Sequence, residues 1–286
     1  METERMLLFL SKRPELVHSF PDWVVPPEVI DELKETDGVA IAEIAGRDSV
    51  AAVLVAIEQY PIKAVLPSVA YTGTEIGDWE IAIEKCHSLA ERLERHSIKV
   101  FDPIFLGAPK FWWLLCGRHI SSLFHHFGFY TPCLGCHLYF HALRIPLAKL
   151  IGVPFIIAGE RESHNGRIKL NQVDIALDAY VAFMRKFEID LLLPLRHIYS
   201  GEEIERIVGQ GWGEEKEQLE CVLSRNYQDT DGAVAYDERA LGRFFKDFAF
   251  PVAEKVVQDY LDGRRPDYEN LRIGSFLQAK LAQSAP

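Results

Sequence analysis

Short apolar runs alternate with amphipathic segments over the first two-thirds of the chain. The apolar runs predict strands at 39–44, 64–69, 100–104 and 155–159. Apolar positions at helical spacing predict helices at 49–57, 78–95 and 137–151, the last kinked or ended by Pro146. Strands that alternate with helices in this order predict an α/β fold with a doubly wound, mostly parallel sheet.

The pattern changes at both ends of this region. Residues 1–38, proline-rich at 21–27, are expected to form an N-terminal extension packed on the core. Residues 39–200 form the predicted α/β domain. From 201 to 286 the chain is charged and helical in pattern, which predicts a helical C-terminal region.

Composition and charge exclude some function classes. The chain has 286 residues, and no apolar run reaches the about 18–20 residues of a membrane span. Five cysteines and an acidic start without a signal sequence indicate a reducing, cytoplasmic setting. The net charge of −11 disfavours nonspecific attraction to nucleic acid, including tRNA, although a local basic patch is compatible with it.

Cys133 and Cys136 form a Cys-x-x-Cys pair at the start of a predicted helix. Two thiols at this spacing can share a metal ion, an iron–sulfur cluster or a redox disulfide. The simplest alternative is two half-buried thiols with no such role. Among the other cysteines, Cys86 lies on an apolar helix face and Cys116 follows an aromatic run, so both are expected in the core. Which of Cys86, Cys116 and Cys221 joins the pair decides its role.

A second motif lies at the turn between the first strand and its helix, Ile44-Ala45-Gly46-Arg47-Asp48-Ser49. This turn is at the edge of a parallel sheet where ligands bind. Gly46 lets the backbone approach a ligand, and Ser49 and the first helix amides can hold a phosphate. Arg47 adds donors for phosphate oxygens. The alternative is a helix start capped by Asp48 or Ser49.

This turn resembles the loop of the PP-loop superfamily of ATP pyrophosphatases, Ser-Gly-Gly-x-Asp-Ser. Gly46, Asp48 and Ser49 match it, whereas Ile44 and Ala45 replace its first Ser and first Gly. The resemblance implies a Rossmann-like fold of the adenine nucleotide alpha hydrolase type. It also implies that residues 39–200 are a PP-loop domain that binds ATP and Mg²⁺.

The Cys-x-x-Cys pair and the following helix and strand resemble the iron–sulfur-dependent tRNA 2-thiolation enzymes of that superfamily. In those enzymes a strand then delivers a Gly-His loop with paired Asp residues. Here Gly159-Glu160-Arg161-Glu162 stands in its place. Glu160 and Glu162 are candidate replacements for the carboxylates at Mg²⁺, and a solvated charged loop is the alternative.

The segment around Cys221 resembles the part of those enzymes that carries a third cysteine. The resemblance therefore implies a 4Fe–4S cluster held by Cys133, Cys136 and Cys221, with one iron that lacks a protein ligand. Zinc with His137 as a fourth ligand, or no metal, are the alternatives. His137 and His141, four positions apart, share one helix face.

The function implied is an ATP-dependent, AMP-forming sulfurtransferase that adenylates a carbonyl oxygen and replaces it with sulfur. The acceptor is a tRNA base or a small molecule, and a homodimer is compatible with the sequence. Alternatives are a sulfur-removing or small-molecule-modifying enzyme, or a degenerate nucleotide-binding module without catalysis. In the implied scheme Cys133, Cys136 and Asp48 are catalytic, and the ATP contacts are Ala45, Gly46, Arg47, Asp48, Ser49 and Gly159.

Overall fold

A computed structural model describes residues 2–12, 20–209 and 218–271. Its strands fall into one large sheet and one short two-stranded ribbon. In chain order they are β1 (Val39–Glu43), β2 (Ala64–Tyr71), β3 (Glu75–Ile76), β4 (Lys99–Val100), β5 (Ile104–Gly107), β6 (Phe155–Ile157), β7 (Asp190–Leu192) and β8 (Glu220–Cys221).

Helices connect the strands and extend the fold beyond the last strand of the large sheet. They are α1 (Glu2–Lys12), α2 (Pro27–Glu35), α3 (Arg47–Gln59), α4 (Glu80–Glu94), α5 (Pro109–Cys116), α6 (Ile120–Phe127), α7 (Pro132–Ala142), α8 (Ile145–Ile151), α9 (Asp174–Arg185), α10 (Gly201–Val208), α11 (Glu238–Phe244) and α12 (Phe250–Leu261). A 3-10 turn spans Leu170–Gln172, and a π-helical segment spans Phe245–Ala249.

The large sheet is parallel and doubly wound. Its order is β4-β2-β1-β6-β7, with β5 also paired to β2, and every pairing in it is parallel. The chain moves outward from β1 through β2 and then returns to the other side of β1 with β6. This confirms the predicted α/β fold, and the reversal between β1 and β6 creates the crevice where such sheets bind ligands.

Two predicted elements are divided in the structure. The strand expected at 100–104 is β4 and β5, because Asp102 and Pro103 leave the ladder between them and proline has no N–H to donate. The helix expected at 137–151 belongs to α7 and α8. Pro146 is the second residue of α8, where a proline is tolerated.

The predicted helical C-terminal region contains α10, α11 and α12, but also β8, which the sequence pattern did not indicate. β8 pairs antiparallel with β3, and this pairing places Cys221 opposite Glu75. The division at 1–38, 39–200 and 201–286 stays a prediction, and parts of the first and last segments lie outside the described residues.

Tyr139 anchors α7 above the carboxyl edge of the sheet. Its hydroxyl donates to the carbonyl oxygen of Tyr71 at 2.7 Å and accepts from the amide of Ala108 at 2.9 Å. Tyr139 is fully buried, so these bonds fix the helix that begins with the Cys-x-x-Cys pair. In the described ranges, no helix combines the length and the apolar character needed to cross a membrane.

Candidate nucleotide and thiol site

The loop between β1 and α3 is held in a tight turn by one hydroxyl. Ser49 Oγ accepts from the amides of Ala45 at 3.0 Å and Gly46 at 3.1 Å, and donates to the carbonyl of Gly46 at 2.6 Å. Gly46 is the residue before the helix, and α3 begins at Arg47. The positive end of the α3 dipole therefore faces the crevice, as a phosphate site requires.

Gly159 brings the loop after β6 into direct contact with this turn. A Cβ atom built on Gly159 would lie 2.6 Å from the Ser49 amide nitrogen and 2.7 Å from the Asp48 carbonyl carbon. Both are backbone atoms that cannot turn aside, so no larger residue fits without moving the helix start. The predicted residues 46, 48, 49 and 159 are thus brought together.

Asp48 is paired with two guanidinium groups. Arg161 Nε lies 2.7 Å from Asp48 Oδ2, and Arg47 Nε lies 3.3 Å from Asp48 Oδ1. Burial raises the pKa of Asp48, but the charge and hydrogen bond of Arg161 and the charge of Arg47 outweigh it, and the pKa is lowered. Asp48 is therefore ionised at neutral pH.

Glu160 connects the same loop to α7. Glu160 Oε1 lies 2.5 Å from His137 Nδ1, and Gln172 Nε2 donates to Glu160 Oε2. Burial raises the pKa of Glu160, but the charge and hydrogen bond of His137 lower it to about 2. Glu162 instead pairs with Arg196 at 2.6 Å. The two glutamates therefore serve separate contacts and do not converge on one Mg²⁺ site.

A second buried ion pair joins α7 to β1. His141 Nδ1 lies 2.9 Å from Glu43 Oε1, and Arg144 Nη1 lies 3.5 Å from the same oxygen. Arg144 Nε also donates to Ser68 Oγ at 2.7 Å. Burial raises the pKa of Glu43, whereas Arg144 and His141 lower it below its ordinary value. The sequence does not indicate the pairing of Glu43 with Arg144, because the two residues are far apart in the chain.

The Cys-x-x-Cys pair occupies the first turn of α7. Thr131 caps this helix, since its hydroxyl accepts from the amide of Cys133 at 3.2 Å. Cys221 approaches the pair from β8, close enough for its charge to raise the pKa of both Cys133 and Cys136, in addition to the larger effect of burial. The structure thus brings the three predicted cysteines to one region.

The zinc alternative depends on His137 as the fourth ligand. Four ligands about 2.3 Å from one zinc lie close together. In the ranges that the structure describes, no three Cys, His, Asp or Glu side chains are grouped so that they could hold a metal ion. Both ring nitrogens of His137 are engaged, Nδ1 by Glu160 and Nε2 by Asn171 at 2.7 Å, so His137 is a poor fourth zinc ligand.

The other two cysteines lie in the core, as predicted. Burial raises the pKa of the Cys86 thiol to about 12, and that of Cys116 is raised well above its ordinary value. Cys116 lies behind the Cys-x-x-Cys turn, with its sulfur 3.0 Å from a Cβ atom built on Gly135. A glycine inside the motif therefore lets α7 pack closely against α5.

The chain has a clear relative of known sequence. The uncharacterized protein MJ0009 of Methanocaldococcus jannaschii is 39% identical over 227 residues, which are 79% of this chain and 82% of that protein. The chain belongs to the same family as MJ0009. No family model matches the chain.

Two solved structures are similar to this member of the MJ0009 family. One is a 4-thiouridine synthetase–RNA complex with bound ATP, at 13% identity and a TM-score of 0.46. The match covers 80% of this chain and 54% of the synthetase, about half its length. The other is the U34-tRNA thiolase NcsA from Methanococcus maripaludis with its [4Fe-4S] cluster, at 13% identity, a TM-score of 0.38 and 87% coverage of each chain.

Proposed function

We propose that the chain is an ATP-dependent, AMP-forming sulfurtransferase that replaces a carbonyl oxygen by sulfur. The observation that carries the proposal is that three consecutive residues after β6 contact both the nucleotide turn and the thiol helix. Gly159 packs on the Ser49 backbone, Glu160 binds His137 beside Cys136, and Arg161 binds Asp48. One short loop therefore contacts both the nucleotide turn and the thiol helix, as a reaction between activated acceptor and sulfur requires.

The nucleotide turn would hold the phosphates of ATP. The first amides of α3 face the crevice, and Arg47 lies at its first position with a guanidinium that can neutralise a phosphate oxygen. In the proposed first step, a carbonyl oxygen of the acceptor attacks the α-phosphorus and pyrophosphate leaves with Mg²⁺. The chain's residues contribute orientation and charge compensation in this step.

The thiols would serve the second step. When bound to Cys133, Cys136 and Cys221, a 4Fe–4S cluster would supply an iron without a protein ligand, where sulfide can be held. Sulfide then adds to the activated carbon, and AMP leaves with the original carbonyl oxygen. Cys221 is exposed whereas Cys136 is half-buried, so the site is open to an acceptor on the Cys221 side.

ATP binding and AMP formation test the proposal and distinguish a tRNA acceptor from a small carbonyl compound. A net charge of −11 favours a small carbonyl compound over a polyanion such as tRNA. Protein reconstituted with iron and sulfide under anaerobic conditions is titrated with Mg·ATP by calorimetry, and AMP formation is then measured with unmodified tRNA or with small amides as acceptors. Binding of Mg·ATP and acceptor-dependent release of AMP support the proposal. Absence of ATP binding by the loaded protein rejects it.

One observation favours a second candidate, a nucleotide-binding module without catalysis. The amides of Ala45 and Gly46 both point to Ser49 Oγ, and Ile44 supplies no hydroxyl where the resembled loop has its first Ser. These two amides are therefore already hydrogen-bonded within the turn and do not point to a phosphate. Mg·ATP or AMP binding without release of pyrophosphate, whichever acceptor is present, distinguishes this candidate from the enzyme.

A further inference from the structure

Asn226 makes a directed contact with the sulfur of Cys133. Thr131 Oγ1 donates to Asn226 Oδ1 at 2.8 Å, which sets the orientation of the amide group. Asn226 Nδ2 then lies 3.0 Å from Cys133 Sγ and 2.5 Å from the carbonyl oxygen of Leu223. The amide therefore joins the start of α7 to the turn that follows Cys221.

Trp112 makes the corresponding contact with Cys136. Its indole Nε1 lies 3.2 Å from Cys136 Sγ. An indole N–H can only donate, so the sulfur is the acceptor. The adjacent Trp113 has a different environment, because its ring is partly exposed and lies under the Arg118 guanidinium.

The third sulfur has a different partner. Cys221 Sγ lies 3.3 Å from Thr74 Oγ1. Thr72 Oγ1 donates to Glu75 Oε1 at 2.6 Å, so the hydroxyl proton of Thr74 is directed to Thr72 Oγ1, 2.8 Å away. A protonated Cys221 thiol can therefore donate to Thr74 Oγ1, and among the described residues no side-chain N–H group contacts this sulfur.

We propose that Asn226 and Trp112 are positioning residues that supply one N–H···S hydrogen bond each to the Cys133 and Cys136 sulfurs, and that Asn226 also holds the Cys221 segment against α7. This inference rests on the proposed function, since it assigns the surroundings of the same metal site. Donors to ligating sulfur stabilise negative charge on it, and therefore favour the reduced state of a bound cluster. Cys221 has a hydroxyl, that of Thr74, as its neighbour instead of an N–H group.

The substitutions Trp112→Phe and Asn226→Ala remove the two donors separately. Trp112→Phe keeps an aromatic ring in place, so the packing of α5 on α7 is retained. The matched controls are Trp113→Phe, the neighbouring tryptophan, and Ser224→Ala in the same turn as Asn226. All four variants and the unaltered protein are reconstituted anaerobically, and iron content and the reduction potential of the cluster are measured. Binding of Co²⁺ to the metal-free protein is followed separately by thiolate-to-cobalt absorption.

The expected result is a reduction potential shifted to lower values in Trp112→Phe and Asn226→Ala and unchanged in both controls. Asn226→Ala is also expected to weaken Co²⁺ binding by about 10-fold or more, the usual effect of losing a partner of a metal ligand. If the unaltered protein binds iron but all variants have the same reduction potential and the same Co²⁺ affinity, this inference is wrong and the proposed function stands. An unaltered protein that binds neither iron nor Co²⁺ at its thiols overturns the proposed function as well.

Discussion

His137 and Glu160 form a short contact between the thiol helix and the loop that packs on the nucleotide turn. His137 follows Cys136 directly, and Glu160 precedes Arg161, the partner of Asp48. The distance between His137 Nδ1 and Glu160 Oε1 is 2.5 Å. A displacement of either segment is therefore transmitted to the other through the contact between this buried carboxylate and the half-buried imidazole.

Glu160 makes the stability of the protein depend on pH. Its pKa of about 2 in the folded protein lies below the ordinary value of 4.5. The carboxylate therefore stabilises the folded state by about 3 kcal/mol above about pH 5, and this contribution is lost as the pH falls towards 2. Denaturant unfolding from about pH 7 to about pH 3 should show about 2 kcal/mol of that loss.

Glu160→Gln isolates this contribution. The difference in unfolding free energy between the unaltered protein and Glu160→Gln should be largest at neutral pH and should shrink as the pH falls, because both then lack the charge. Glu162→Gln is the matched control, since Glu162 pairs with Arg196 at the surface. A difference for Glu160→Gln that is independent of pH would show that the charge of the Glu160 carboxylate contributes nothing to stability.

Gly159 tests the contact between the two loops. Gly159→Ala places a methyl group within 3 Å of the backbone of Asp48 and Ser49, so we expect a loss of about 1–3 kcal/mol in the unfolding free energy and weaker ATP binding. Gly242→Ala is the control, because its nearest neighbour, Ile175 Cδ1, is 3.7 Å away and alanine favours a helix. Equal stability and ATP affinity in both variants would contradict the close packing.

Asp48 should matter for both stability and nucleotide binding. Asp48→Asn leaves the buried Arg161 guanidinium without a carboxylate, which should cost about 3 kcal/mol. The affinity for Mg·ATP by calorimetry should fall at least about tenfold, equivalent to about 1.4 kcal/mol, because Arg47 and Arg161 lose the charge that orients them. Glu162→Gln, in the neighbouring loop, should change either quantity by less than about 1 kcal/mol. Unchanged ATP affinity in Asp48→Asn would exclude this turn as the nucleotide site.

The fold could be predicted from sequence because its signals are local. The apolar runs ending at Ile44 and Ile157 have the length and composition of buried parallel strands. Gly46 and Ser49 then stand at a strand-to-helix turn, and Thr131 with Pro132 marks the start of the helix that carries the cysteines.

The remaining contacts of the site depend on chain segments that are distant in sequence. β3 and β8 have two residues each, too short for any periodicity, yet they place Cys221. Arg161 and Glu160 read locally as a charged, solvated loop, and only the β1–β6 pairing brings them to Asp48 and His137. Burial of such charges is decided by tertiary packing and leaves no local pattern.

The central claim is that Cys133, Cys136 and Cys221 hold one iron–sulfur cluster, and iron and sulfide analysis after anaerobic reconstitution tests it most directly. The unaltered protein should bind about four irons and four sulfides per chain. Cys221→Ala should lose the cluster, whereas Cys86→Ala, at a buried thiol with a pKa of about 12, should retain it. Iron content in Cys221→Ala equal to that of the unaltered protein would contradict the three-cysteine site.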